Sequence, residues 1–274
     1  MILLNNVPVG WSSKTVLHIP QVDLPGQSKS NATVLEDHRT GDKPLLSSSD
    51  LSRTYLNMAD SLSFAWHWED TLIAGQERPL AVASDPDAML IEACERQDAG
   101  EEGVIDPFWA TTWRAASGLD RFLDRVPIHN QDVLEVGCGT GHAGIAALLR
   151  GARVTLTDGV EDPLQLVRLS LSRLGLHADV QVFRLGEDSL APKKFPFILG
   201  SDVTYLRTLW PELLQSAAEH LTEDGQLILS DPQRLIATEF SQWVKDKPWD
   251  YTEHTVEMDD DPEHPIRIMV LTQG

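Results

Sequence analysis

The chain has 274 residues, 22 of them Lys or Arg and 42 Asp or Glu, for a formal net charge of −20, with two cysteines and 42% hydrophobic residues. At about 100–200 residues per domain, this length suits one large domain or one domain with an appendage, large enough to bury a core without metal or disulfide staples. The acidic balance gives a polyphosphate no electrostatic reason to approach, so no nucleic-acid partner is expected; a basic partner or a neutral small molecule suits the surface better.

Met1-Ile-Leu-Leu lacks a preceding positive charge and is too short for a signal core, and no later run approaches the length of a membrane span. Cys94 and Cys138 lie far apart, without a C-x-x-C pair or a spaced His. That argues against a disulfide framework or structural zinc, and for a reducing, cytoplasmic setting. Residues 1–57 carry Ser12-Ser13, Gly26-Gln27-Ser28 and Ser47-Ser48-Ser49 between short apolar runs, and read as an N-terminal arm, partly extended or disordered. Residues 58–274 read as the folded domain, with a lead-in at 58–105 and a regular core at 106–274.

In the lead-in, Ser63 to Trp68 alternates like a strand, and Asp85-Pro86 opens a short capped helix through Ala93. From residue 106, helical and strand periods alternate as in an α/β domain on a mostly parallel sheet. Ala116, Leu119, Phe122, Leu123 and Val126 form the stripe of a first helix. Strands are expected at 132–136, 154–157, 180–183, 197–200 and 226–230. Helices are expected at 143–149, after Pro163, and around 210–221. Residues 251–257 and 266–272 flank an acidic turn and read as a C-terminal antiparallel hairpin.

The most specific feature is Val133-Leu-Glu135-Val-Gly137-Cys138-Gly139-Thr-Gly141-His142-Ala-Gly144, a strand that runs through a glycine-rich turn into a helix. Glycines let the backbone turn sharply and approach a ligand, and the helix start offers unpaired N–H groups, so a nucleotide-like cofactor is the economical inference. Gly139-x-Gly141-x-x-Gly144 also satisfies the dinucleotide fingerprint, with Asp158 near the distance for a ribose, which keeps an NAD-dependent oxidoreductase in view. Against it, Glu135 gives E-x-G-x-G-x-G. A carboxylate there can accept from a cationic amino group, which a methionine-derived cofactor has and a pyrophosphate lacks. The terminal hairpin also departs from the sixth parallel strand of a dinucleotide fold.

With Pro107-Phe108-Trp109-Ala110-Thr-Thr-Trp113 ahead of the first helix, Ser201-Asp202-Val203-Thr204-Tyr205 after the fourth core strand and Ser230-Asp231-Pro232-Gln233-Arg234 after the fifth, residues 106–274 resemble the class I S-adenosylmethionine-dependent methyltransferases. Within them they resemble the seven-β-strand group that includes the electron-transfer-flavoprotein β-subunit lysine methyltransferase and nicotinamide N-methylase-like proteins. The resemblance implies a Rossmann-like sheet and S-adenosyl-L-methionine as cofactor, with S-adenosyl-L-homocysteine as product. It implies that Glu135 and the backbone of Gly137, Cys138, Gly139 and Gly141 surround the methionine part, that Asp158, with Gly159 beside it, takes the ribose hydroxyls, and that Trp113 walls the pocket. Asp202 and Tyr205 would border the point where the methyl group leaves. After the third core strand, Arg184-Leu185-Gly186-Glu187-Asp188 stands where the group carries an Asp-Trp pair near the adenine, leaving Glu187 or Asp188 as weak substitutes.

Each residue also has a plainer reading. Asp158 could cap the following helix, Trp109 and Trp113 could be core anchors four apart, and Tyr205 could pack at a strand end. His142 reads as a solvated polar residue near the helix start rather than a base, and Cys138 as a small loop residue rather than a nucleophile. Asp259-Asp260-Asp261, Glu263 and His264 read as a solvated turn, not a metal site. The expected acceptor is a protein lysine, with a small amine as the rival, and a non-enzymatic adaptor that retains the cofactor fold stays open.

Overall fold

The computed structural model describes residues 62–274; the proposed arm, 1–57, lies outside the described residues. Strands β1 (Trp66–Ile73) and β2 (Gln76–Ala83) form an antiparallel hairpin in full register from Trp66↔Ala83 to Ile73↔Gln76. Helix α1 (Pro86–Asp98) follows, and the Asp85 carboxylate accepts the Ala88 N–H at 2.9 Å, the cap that the Asp-Pro pair announces. The sequence reading has no strand β2. Its first half, Gln-Glu-Arg-Pro, is polar and carries a proline, so only Leu80–Ala83 offers an apolar signal.

The core then runs α2 (Arg114–Leu123), β3 (Asp132–Glu135), α3 (His142–Leu149), β4 (Arg153–Asp158), α4 (Glu161–Leu174), β5 (Asp179–Val182), β6 (Phe195–Ser201), α5 (Trp210–His220), β7 (Leu221–Asp231), α6 (Leu235–Val244), β8 (Trp249–Val256) and β9 (Ile266–Gln273). The seven strands lie in the order β5-β4-β3-β6-β7-β9-β8. Strands β3 to β7 pair in parallel, and β9 runs antiparallel to both neighbours, β7 and β8. The alternating, mostly parallel sheet expected from the sequence is present, as is the terminal hairpin. Its β9 strand slots in beside β7, which separates this sheet from a dinucleotide fold. Helix α6 was not foreseen, although Ala237, Phe240, Ser241 and Val244, all buried, repeat at helical spacing.

Period-two alternation divides the sheet's side chains between two apolar layers. Val133, Ile228, Ile268 and Val270 join α2, α3 and α4 through Leu119, Ile145 and Val167. Leu134, Leu227, Leu229, Met269 and Leu271 join α5 and α6 through Leu213, Trp210 and Phe240. The β1–β2 hairpin seats on this core by two polar links: Ala81 N–H donates to the Ser170 hydroxyl at 2.9 Å and Ala74 N–H to Asp120 Oδ2 at 3.0 Å. Beside them, Phe64, Trp66, Trp68 and Trp109 pack against Ala81, Leu166 and Leu169.

Candidate functional site

The order of strands reverses at β3, whose neighbours are β4 on one side and β6 on the other. At such a point the connections leave in opposite directions and open a crevice beyond the carboxyl ends of the strands. Four carboxylates stand at or just past those ends: Glu135 on β3, Asp158 on β4, Asp202 after β6 and Asp231 on β7. Glu135, Asp158 and Asp202 are site residues expected from the sequence; Asp231 has a different task. It is fully buried and pairs with Arg267 at 2.9 Å, tying β7 to β9.

Gly137, Gly139 and Gly141 all hold positive φ, at 60°, 49° and 77°, where a side chain would be strained. The turn they build is latched from two sides. Gly144 N–H donates to Glu135 Oε2 at 2.8 Å, satisfying one of the free donors in the first turn of α3. Gly139 N–H donates to Asp158 Oδ2 at 3.0 Å, and Asp158 Oδ1 accepts from Val160 N–H at 3.3 Å. Gly144 is required by proximity: a Cβ there would lie 2.3 Å from Leu156 Cδ2 and 2.4 Å from Glu135 Oε2. Asp158 does not cap the following helix, whose N-cap is Val160 and has no side-chain cap; it holds the turn before that helix, and each of its oxygens keeps a further lone pair for a ligand.

Burial pushes the Glu135 carboxyl up to about 8, the Gly144 N–H pulling against it and the charge of Asp158 adding to it. Asp158 is also raised by burial, with the N–H groups of Gly139, Val160 and Gly159 opposing. Glu135 Oε1 is buried without a hydrogen-bond partner. An acceptor left unpaired in the interior is costly, and a donor arriving beside the loop, above all a cationic one, would satisfy it. The residues therefore fit the ammonium end of a methionine-derived cofactor, and Asp158 fits a diol. Cys138 is buried and its thiol pushed well up by that burial, first, and then by Glu135 and Asp158, so it contributes a small side chain and no nucleophile.

His142 departs from its expected solvated position. It is buried, with Nε2 at 3.3 Å from Asp120 Oδ2, while Arg150 reaches Asp120 Oδ1 at 2.7 Å. The physical reason is that α2 packs against α3 and its buried Asp120 carboxylate needs partners, which His142, Arg150 and Ala74 N–H supply. Glu187 and Asp188 lie in an exposed turn where Asp188 Oδ2 accepts Arg184 N–H at 2.7 Å. That carboxylate is engaged in shaping its own loop. Arg121 pairs with Asp259 at 2.6 Å, and Arg114 lies 3.6 Å from Asp260 and 3.7 Å from Asp261, which makes the acidic turn an ion-paired strap onto α2.

Beyond the glycine turn, Phe108, Trp113, Asp202, Tyr205 and Arg234 line a cavity of about 190 Å³. Three of the expected site residues thus meet there. Trp113 is fixed by its indole N–H, which donates to Phe108 carbonyl at 2.8 Å, and Tyr205 stands edge-on to Phe108 at 5.6 Å. Tyr205 is 39% exposed. Burial, then the charges of Asp158, Asp202 and Asp106, raise its hydroxyl, so it remains a neutral donor at physiological pH. Trp109 belongs to a different group, packed at 5.2 Å on Phe64. Asp202 adopts φ +54° and is buried. It is forked by Arg234, with Nε at 3.1 Å from Oδ1 and Nη2 at 2.8 Å from Oδ2, and that guanidinium lies 5.0 Å over the Trp113 ring. The sequence assigns no role to Arg234 or Phe108; the signal for Arg234 is its place two residues after the Asp231-Pro232 pair at the end of β7.

The chain belongs to the Methyltransferase domain family, whose model matches residues 110–260, a stretch that holds Trp113, Glu135, Asp158, Asp202, Tyr205 and Arg234. It is 34% identical over 145 residues to a protein N-lysine methyltransferase METTL21A of Xenopus tropicalis, covering 51% of this chain and 66% of that protein. It is 28% identical to an EEF1A lysine methyltransferase 3 of the same organism, covering 46% and 58%. The matches therefore span less than two thirds of these relatives' own lengths. Among solved structures, a 16S rRNA N2 G1207 methyltransferase (RsmC) of T. thermophilus in complex with AdoMet and guanosine shares the fold, with TM-score 0.53, 15% identity and coverage of 77% of this chain and 51% of that one.

Proposed function

We propose that the protein is an S-adenosylmethionine-dependent methyltransferase acting on the side-chain amine of a lysine in a partner protein. The observation that carries this reading is a glycine turn bearing a buried, half-satisfied carboxylate, Glu135, together with an aromatic-walled cavity lined by one buried carboxylate, Asp202. The first feature suits a ligand with an ammonium group and a diol; the second suits an amine acceptor. The relatives named as lysine methyltransferases support the choice of acceptor, and a small amine is the rival.

Bound at the turn, S-adenosylmethionine would supply an electrophilic methyl group on a sulfonium. The chain's own work is then to align and to exclude water. Glu135 and the loop backbone hold the amino-acid end, Asp158 holds the ribose, and Trp113 with Phe108 walls off solvent. Asp202 and nearby carbonyls orient the amine while Tyr205 closes the acceptor channel. No dedicated base is needed, because the amine can give its proton to solvent before attack. The surface charge of −20 suits a lysine on a basic protein face. Among the described residues no helix is long and apolar enough to cross a membrane. The two unpaired thiols, Cys94 and Cys138, support a cytoplasmic location.

Calorimetry with S-adenosylhomocysteine and NAD in parallel tests the cofactor. Binding of the former, lost in Asp158→Ala, is expected; binding of NAD alone would overturn the reading. Asp202→Ala should then lower labelled-methyl transfer to lysine-bearing protein by about tenfold or more, and unchanged turnover would remove Asp202 from the acceptor site.

A further inference from the structure

The Asp202–Arg234 pair differs from the other buried acid–guanidinium pair at the same edge of the sheet. In Asp231–Arg267 both side chains are buried, 0% and 8% exposed, and Arg267 also donates to Thr238 Oγ1 at 3.1 Å, a closed arrangement between strands. In Asp202–Arg234 the acid is 5% exposed but the arginine 37%, and the pair lines a cavity. Among the described residues, the hydrogen bonds of this guanidinium go to Asp202 alone. The guanidinium also lies over the face of Trp113 and feels the charge of Asp231. The backbone on both sides is held in the left-handed region, Asp202 at φ +54° and Gln233 at φ +59°. Such conformations persist only where the surroundings over-determine them, and here they turn the acid and the arginine toward each other.

A buried carboxylate at the foot of an aromatic face is the chemistry that binds an organic cation. In this chain it already holds one. We infer that Arg234 is an intramolecular stand-in for the acceptor: its guanidinium fills the cation seat formed by Asp202 and Trp113, and an incoming primary ammonium side chain must displace it. This rests on the methyltransferase reading above. The Arg234 fork takes both oxygens of Asp202 while its guanidinium covers the Trp113 face, so the seat is filled for as long as Arg234 stays in it. Arg234 is the member able to leave, since its side chain reaches solvent from the start of α6 and can carry its charge outward on a flexible stem. The seat therefore admits an amine only when docking of the rest of the acceptor supplies the free energy to exchange the two cations. That makes Arg234 a specificity-determining residue, set against free small amines and in favour of a lysine delivered by a larger partner.

The test uses n-butylammonium as probe, on full-length protein saturated with S-adenosylhomocysteine. Arg234→Gln and Arg234→Ala should bind the probe about tenfold or more tightly than wild type, with a shift of the Trp113 indole resonance. Both should lower KM for n-butylamine relative to a lysine-bearing protein, while Arg234→Lys, which restores a cation, should return toward wild type. In wild type, saturating probe should bring the Arg234 Nε–H into solvent exchange, a readout that requires no variant. Equal or weaker probe binding by the folded variants, or an Arg234 Nε–H that stays protected with probe bound, would overturn the inference. Failure of wild type to bind S-adenosylhomocysteine at all would instead sink the methyltransferase reading, so the two failures are distinct.

Discussion

Glu135 ties a proton to a ligand. Its carboxyl titrates near 8 in the fold and near 4.3 in an unfolded chain, so the folded state binds the proton more tightly. The stability associated with this group is intact below about pH 4.3 and is lost as the pH rises toward 8. At pH 7 the ligand-free acid is mostly protonated, and an ammonium placed against Oε1 favours the ionised form. Binding of S-adenosylhomocysteine at pH 7 should then release close to one proton, falling toward none near pH 9. Calorimetry in buffers of different ionisation enthalpy counts those protons; Glu135→Gln should release none, and an unchanged count in that variant would free Glu135 of the role. The position of Glu135, Asp158 and Asp202 at strand ends was legible because each follows a β run directly. The partner of Asp202 was not, because Arg234 lies 32 residues away and no local spacing joins them. The burial of His142 escapes the sequence for a related reason: helix position alone cannot reveal that a second helix packs against it.

Elements with strong periods declared themselves, and those whose pattern is diluted by polar residues did not. Strand β6 carries an apolar run from Phe195, β4 alternates Val154 and Leu156 with threonines, and β3 runs straight into the glycine turn, whereas the first half of β2 is polar. Helix α6 matters to the site, because Arg234 stands at its start. Its anchor is Phe240, fully buried and packed at 5.4 Å on Trp210 and 5.9 Å on Trp243. Phe240→Ala should destabilise the fold by about 3–5 kcal/mol, read as a lowered midpoint in chemical denaturation. A loss below about 1 kcal/mol would mean that α6 is held by something other than this cluster. On the opposite layer, Gly144→Ala must either move Leu156 or break the Glu135 latch. It is expected to cost about 1–3 kcal/mol and to weaken S-adenosylhomocysteine binding, and intact binding at full stability would argue that the latch is dispensable.

At the scale of the whole molecule, 42 acidic against 22 basic residues produce a field that acts before any contact forms. A basic protein would be drawn toward such a surface, and a single amine far less, since attraction grows with the number of charges that the partner presents. Salt separates the two cases. The Debye length shortens from about 10 Å at 0.1 M to about 3 Å at 1 M, which removes long-range steering while leaving close contacts within a cavity largely intact. If a basic protein face presents the lysine, kcat/KM should fall about tenfold between about 0.05 and 0.5 M salt, mostly through KM. For n-butylamine the change should stay within about twofold, because the exchange against Arg234 takes place within the half-buried pair. A salt response shared equally by both acceptors would place the electrostatic effect on the protein's own stability or cofactor binding, and would remove the acidic surface from substrate choice.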